Sequence, residues 1–283
     1  MTQHIVPMCV VVELGHAAAQ RVADLAEVRV LHLKGPATDR RLWHEGRPRI
    51  STDADVLVDP DRVRHYMDAL QQAGWRQETD FAHGSSFEHA ATLRHDVWGY
   101  LDVHRHWPGF GDDASEVFDL LWTARQRQSI GGRRCATPGL LDQRIILSIN
   151  AVRDRCAPDH PDLTQAWADA SAQLRSALLA RVAQLDASVA FALVTGDFER
   201  YPRDGQHAIW RVAAYGGSRR AEWAARVRAA PDLRTGARTA VRALLVNPQN
   251  LQVRLGRAPS RGDLARDFVG RFARAVREEL RPR

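Results

Sequence analysis

Asp53 and Asp55 stand two residues apart in the run Thr52-Asp53-Ala54-Asp55-Val56-Leu57-Val58, which reads as a β-strand. Side chains alternate along a strand, so both carboxylates are expected to leave the same face with Cα atoms ~6–7 Å apart. That spacing lets two carboxylates share a pair of hard divalent cations, which lie ~3.5–4 Å apart in two-metal phosphoryl-transfer sites. Two like charges set among apolar neighbours are costly unless a cation compensates them. A third carboxylate, Asp102, stands in Tyr100-Leu101-Asp102-Val103-His104, again between apolar residues on an expected strand. A neighbouring place in one sheet would bring it to the pair, and His104 would share its face. Phosphoryl transfer on bound metal is the chemistry such a cluster serves.

A cation precedes the carboxylates. Of the 40 lysines and arginines, Lys34 is the one lysine and the other 39 are arginine. Arginine serves this chain wherever a generic cation is wanted, so a retained ammonium points to a place where a compact charge fits and a planar fork does not. Gly35 follows it, after the apolar run Val28 to Leu33 and before a short helix. A glycine there lets the backbone come close to a phosphate, and a helix start offers N–H groups to it.

The elements that must position these groups follow from periodicity and punctuation. Leu14 to Glu27 reads as a helix, Val28 to Leu33 as a strand, Thr38 to His44 as a brief helix and Ser51 to Val58 as a strand. Asp59-Pro60 starts a helix that carries Val63, Met67 and Leu70 on one face and stops at Gly74. Trp75 to Phe81, Phe87 to Leu93 and Gly99 to Trp107 read as further strands. From about Ser115 the pattern is helical: Leu140 to Arg155, Thr164 to Leu185, Trp210 to Ala214, Ala221 to Ala229, Leu233 to Val246 and Gly262 to Leu280. Breakers such as Tyr201-Pro202, Gly216-Gly217 and Asn247-Pro248 separate them. The expected fold is α/β of the α+β kind: a small mixed-sheet domain over residues 1–128, followed by an all-helical domain over residues 129–283.

Leu33-Lys34-Gly35, Arg49 to Val58 and Leu101-Asp102-Val103-His104 together resemble the nucleotidyltransferase superfamily of DNA polymerase beta type. More narrowly they resemble a largely uncharacterised bacterial branch with an L-K-G turn, an R-x-x-x-D-x-D-x-L-V strand and an L-D-x-H strand. The resemblance covers roughly residues 28 to 107. It implies that Asp53 and Asp55 bind Mg²⁺ or Mn²⁺ ions gripping a nucleoside triphosphate, ATP among the candidates. It implies that Asp102 completes the metal site, that Gly35 lets the backbone approach the triphosphate, and that Lys34 and Arg49 neutralise phosphate charge. His104, on the strand of Asp102, is placed to touch metal or acceptor. The implied reaction is attack of a hydroxyl on the α-phosphorus with release of pyrophosphate.

Composition sets the outer bounds. At 283 residues, 45% hydrophobic and 26% charged, the chain excludes collagen-like, disulfide-scaffold and wholly disordered classes. Cys9, Cys135 and Cys156 are odd in number and widely spaced, as free thiols of a reducing compartment are. No apolar stretch approaches the ~20 residues of a membrane span, and Val6 to Val12 is short for a signal-peptide core, so a cytoplasmic protein with no membrane partner is expected. The net charge of +6 permits contact with a polyanion, and much of it lies in the late arginines from Arg203 onward. A solvated helix face accounts for most of these, so nucleic acid is the lesser expectation. His89 and His95 raise zinc, but no closed ligand set at zinc spacing accompanies them. The expected acceptor is a hydroxyl of a small molecule or protein; the rivals are an RNA-modifying, toxin-like transferase and a catalytically silent nucleotide- or partner-binding module.

Overall fold

Five short strands organise the first half of the chain: β1 (Val30–Leu33), β2 (Ala54–Val58), β3 (Arg76–Gln77), β4 (Ala90–His95) and β5 (Gly99–His104). They form one mixed sheet in the order β1-β2-β5-β4-β3. β2 and β5 run parallel at its centre and the other pairs are antiparallel. A computed structural model describes residues 6–84, 86–230, 232–244, 251 and 255–279. The chain divides into two compact units, Met1–Gly216 and Gly217–Arg283.

A parallel pair needs cover on both faces, and β2 is buried along its whole length. Alternation sorts its residues. Val30, Ala54, Val56, Val58, Ala91, Leu93, Leu101 and Val103 form one core with the helices α1 (Met8–Leu25) and α2 (Val63–Gln72). The buried positions of α1, namely Val12, Gly15, His16, Ala17, Ala19, Val22 and Ala23, recur mostly at helical spacing. Tyr66 of α2 donates its hydroxyl to the carbonyl of Ala19 at 2.9 Å, which ties the two helices together. The opposite face of the sheet carries Asp55, Leu57, Asp102, His104 and Thr92.

The first half matches the sequence expectation except at its edges. β2 begins at Ala54, β3 is reduced to two residues, and Phe81–Gly84 forms a single helical turn, α3. The larger difference follows α4 (Ala114–Thr123). β6 (Gln126–Ile130) and β7 (Arg133–Thr137) make a two-stranded hairpin where only helices were expected. Gly131 and Gly132 turn it, with φ of +53° and +78°, the two consecutive positive values that a type I′ turn demands. Gln128 of this hairpin donates to the carbonyl of Pro36 at 3.0 Å, and Ile130 and Cys135 pack on Ala37. The expected boundary at residues 128/129 falls inside β6, whereas the first compact unit runs on to Gly216.

Beyond the hairpin lie α5 (Leu140–Arg153), α6 (Pro161–Leu163), a π-turn at Thr164–Ala168, α7 (Ala172–Gln184), α8 (Ser188–Thr195) and α9 (His207–Tyr215). The single helix expected over Thr164 to Leu185 is broken at residues 169–171, and Ser171 caps α7 by accepting from the Leu174 N–H. In the second unit, α10 (Arg219–Arg228) packs on α11 (Leu233–Leu244), and α12 spans Arg261–Glu279. Ser218, Asp232 and Ser260 accept from the first-turn N–H groups of these three helices. The expected helix ends at Val246 and Leu280, the Asn247-Pro248 break, and arginines such as Arg254 and Arg281 lie outside the described residues. Among the described residues, no helix is long and apolar enough to cross a membrane.

One polar chain runs from the surface into the core. Gln20 donates Nε2 to Asp24 at 2.6 Å, so its Oε1 is left to accept from His32 Nε2 at 2.9 Å. His32 Nδ1 then carries a lone pair and accepts from His16 Nδ1, also at 2.9 Å. Both imidazoles are fully buried. Burial lowers His16 from 6.5 to about 4, with Lys34 reinforcing the shift and Asp55 opposing it; burial and then His16 push His32 well down. His89 and His106 are lowered in the same direction by burial. The unfolded chain therefore binds more protons below its ordinary imidazole range, so this stability is present above that range and lost as pH falls through the folded values. Urea unfolding between pH ~7.5 and ~5 is expected to show that fall, with a shallower slope in His16→Phe. An identical slope in the variant would place the acid sensitivity elsewhere.

Candidate nucleotidyltransferase site

The site is set by strand register. β1 ends at Leu33, directly opposite Asp55 of β2. Asp55 is in turn paired with Asp102 of β5 across the parallel ladder, and Thr92 of β4 pairs with Asp102 on its other side. One row across the sheet thus brings both carboxylates to the same face, and His104 lies two residues further along it. Ligand atoms of Asp55, Asp102 and His104 all lie within 4.8 Å of one another.

Asp55 is the buried centre, with 1% of its surface exposed. Its Oδ1 accepts from Lys34 Nζ at 2.7 Å and meets His104 Nε2 at 2.8 Å. Burial alone would raise its pKa, but the Lys34 ammonium and the His104 hydrogen bond outweigh it and hold the carboxyl well below the usual carboxylate range. Asp102 is pushed the other way, upward, by burial and then by the negative charge of Asp55; Thr92, which donates to its Oδ1 at 2.7 Å, and His104 oppose the shift. The two carboxylates differ because one has captured the ammonium.

Lys34 reaches Asp55 because the chain turns sharply after β1. Lys34 and Gly35 have φ of +53° and +42°, a region that a glycine enters without cost and other residues do not. A Cβ at Gly35 would stand 2.8 Å from the Ser51 Cβ, so the glycine also permits the close passage of the segment before β2. Ser51 Oγ lies 2.9 Å from the carbonyl and 3.1 Å from Oδ1 of Asp53.

Two expected site residues are placed differently from the strand argument. Asp53 precedes β2 and is not governed by its alternation. Its carboxylate is held by Ser51 and does not join the close group, although its charge still reaches Asp102 and adds to the upward shift there. Arg49 is engaged by Asp162: Nε lies 3.1 and 3.0 Å from the two carboxylate oxygens and Nη2 3.0 Å from one of them. That fork fastens the loop before β2 to the start of α6.

The sequence reading missed a wall of rings and a second cation. The His104 ring lies 5.1 Å from His89 and 5.2 Å from Trp107, centroid to centroid. Lys34 Nζ stands 5.6 Å from the Trp107 ring and the Arg153 guanidinium 5.9 Å from it. His104 Nδ1 and Trp107 Nε1 are buried with no hydrogen-bond partner among the described residues. A tryptophan three residues beyond His104 was the available signal for the wall; nothing local marks Arg153. His89 and His95 stand at opposite ends of the β4 segment, and His95 accepts from the Val97 N–H at the far turn. A separate cavity of about 640 Å³, lined by Val63, Met67, Gln77, Phe81 and Arg105, opens beside α2.

A mixed sheet thus presents paired carboxylates from adjacent parallel strands, reached by a lysine from a glycine turn. Residues 17–197, more than half of the chain, match the family described as uncharacterised nucleotidyltransferase, and the chain belongs to that family. No curated protein matches the chain. A solved structure of the lincosamide antibiotic adenylyltransferase LnuA with lincomycin bound is distantly similar, at 19% identity and a TM-score of 0.36 over 54% of this chain and 94% of that one.

The turn supplies a test of its own. Gly35→Ala combines left-handed strain of about 1–2 kcal/mol with the contact on Ser51. Gly46, with φ of +71° and open space around it, isolates the strain alone. Urea unfolding is expected to show the larger loss for Gly35→Ala, and equal losses would remove the packing argument.

Proposed function

We propose that the protein transfers a nucleoside monophosphate from a nucleoside triphosphate to a hydroxyl of a small molecule or protein, with Mg²⁺ or Mn²⁺ required. The observation that carries this reading is the register of Asp55 with Asp102, which converges two carboxylates and an imidazole on one point. Two hard oxygens with one nitrogen suit such an ion better than a thiolate-seeking metal. Asp55 already faces positive charge on its Oδ1, as a carboxylate built to hold a cation does. Asp55 and Asp102 would hold the metal, with His104 beside them and Asp53 adding negative charge from the rim. When bound, the ion polarises the α-phosphate and the attacking hydroxyl and screens the charge between them.

The chain's own residues do the rest. Lys34 places an ammonium where negative charge collects on the transferred phosphoryl group. Gly35 leaves the backbone bare beside it. Asp102, with Oδ1 committed to Thr92, offers Oδ2 to the hydroxyl proton. The hydroxyl oxygen bonds to the α-phosphorus, the bond from that phosphorus to the β-phosphate oxygen breaks, and pyrophosphate leaves. Arg49, fixed by Asp162, braces the loop. The buried Asp55, with a largely buried Lys34 on it, favours a slender acceptor over a nucleic-acid duplex. The convergence of Asp55 and Asp102 speaks against a silent descendant. Unpaired Cys9, Cys135 and Cys156 suit the cytoplasm.

A ligand that binds only the folded state stabilises it by about 2.7 kcal/mol at 100 times its Kd. Thermal unfolding with ATP, GTP, CTP and UTP, each with and without Mg²⁺, is expected to show a metal-dependent rise for at least one triphosphate. The rise is expected to vanish in Asp55→Asn/Asp102→Asn. A folded wild-type protein that responds to none of the four would sink the proposal and favour the binding module.

A further inference from the structure

Arg153 ends α5 with its guanidinium turned onto the site, only 17% of the side chain being exposed. Its Nε donates to Asp154 Oδ1 at 3.1 Å, Nη1 to His89 Nε2 at 3.2 Å and Nη2 to Asn150 Oδ1 at 2.7 Å. Three of the five N–H donors of a guanidinium are used in this way, and two remain without a partner among the described residues. The donors that are used fix the plane of the group, so its orientation is set before any ligand arrives.

Its charge is met differently from that of arginines buried to a similar degree. Arg49 forks onto Asp162 and Arg181 onto Asp142, and both carboxylates are buried. Arg153 instead contacts a neutral amide, an imidazole kept neutral by burial, and Asp154, whose side chain is 49% exposed. A partly desolvated cation with its counter-charge half in water is costly, and an anionic ligand would relieve that cost. The Trp107 ring lies 5.9 Å from this guanidinium and 5.6 Å from the Lys34 ammonium, which also contacts Asp55.

We propose that Arg153 is the second phosphate-binding cation of the site, gripping the β- and γ-phosphates that depart as pyrophosphate while Lys34 stays with the phosphate beside the carboxylates. The inference rests on the nucleotidyl-transfer reading above. It makes the end of α5 part of the triphosphate subsite, with His89 and Asn150 as the residues that position the guanidinium. A planar fork suits a terminal phosphate because two parallel N–H groups can meet two of its oxygens.

The test compares ligands with and without terminal phosphates. Affinities for inorganic pyrophosphate, for the preferred triphosphate and for its monophosphate, all with Mg²⁺, are measured by thermal shift on wild type, Arg153→Gln and Arg153→Lys. Arg153→Gln is expected to weaken pyrophosphate and triphosphate about tenfold or more, and to leave the monophosphate within about twofold. Arg153→Lys keeps the charge and loses the fork, so an intermediate loss is expected, and it decides the matter if the glutamine variant folds poorly. Equal weakening of triphosphate and monophosphate, or unchanged triphosphate affinity, overturns the inference and leaves the transferase reading standing. A wild-type protein that binds neither pyrophosphate nor any triphosphate overturns both.

Discussion

A carboxylate with almost no access to water sits at the middle of a parallel strand pair, and the rest of the first unit is arranged around keeping it charged. Asp55 would be protonated by its surroundings if nothing answered it. Lys34 and His104 answer it from two directions, one from the turn after β1 and one from β5. Each partner needs its own scaffolding. The lysine needs a left-handed turn and a glycine behind it; the histidine needs β5 in register and a wall of rings at its back. Removing either partner leaves a buried negative charge only partly compensated, a costly defect in a protein interior.

The helical segments are part of that scaffolding as well as a cover for the sheet. Gln143, in the first turns of α5, accepts from the Asp39 N–H and donates to the Pro138 carbonyl, so it holds the segment that follows the Lys34 turn. Arg153, at the other end of the same helix, lies against Trp107 and His89. Asp162 meets Arg49 from the start of α6. Three contacts separated by 64 to 113 residues in the chain therefore pin the sheet's rim to the helices. This face of the sheet and the helices that follow it belong to one compact unit for this reason, although the pattern of the chain turns helical near residue 115.

The carboxylates were legible because strand alternation and apolar flanks are local signals. Asp55, Asp102 and His104 could be assigned to one face from their neighbours alone, and the lone lysine drew attention by contrast with the arginines. Asp53 falls outside the expected strand for a physical reason: Ser51 Oγ contacts its carbonyl and its carboxylate, and strand pairing starts only at Ala54. The β6–β7 hairpin was legible in principle, since Gly131-Gly132 is a strong turn signal, but Gln126, Arg127 and Gln128 lack the apolar alternation that marks a buried strand. Arg49 and Arg153 were beyond local reading. Whether an arginine meets a buried carboxylate or keeps donors in reserve is decided by residues far along the chain.

The arithmetic of a single lysine has a chemical corollary. Every ε-amino group this polypeptide carries is Nζ of Lys34, so acylation, glycation or conjugation at lysine cannot be distributed over the surface as in most proteins. Such chemistry either fails or strikes beside Asp55. With 12% of the lysine side chain exposed and its Nζ on the Asp55 carboxylate, that amine is shielded from reagents. The same bond that keeps a carboxylate ionised thus hides the one lysine from amine reagents until the pair is parted.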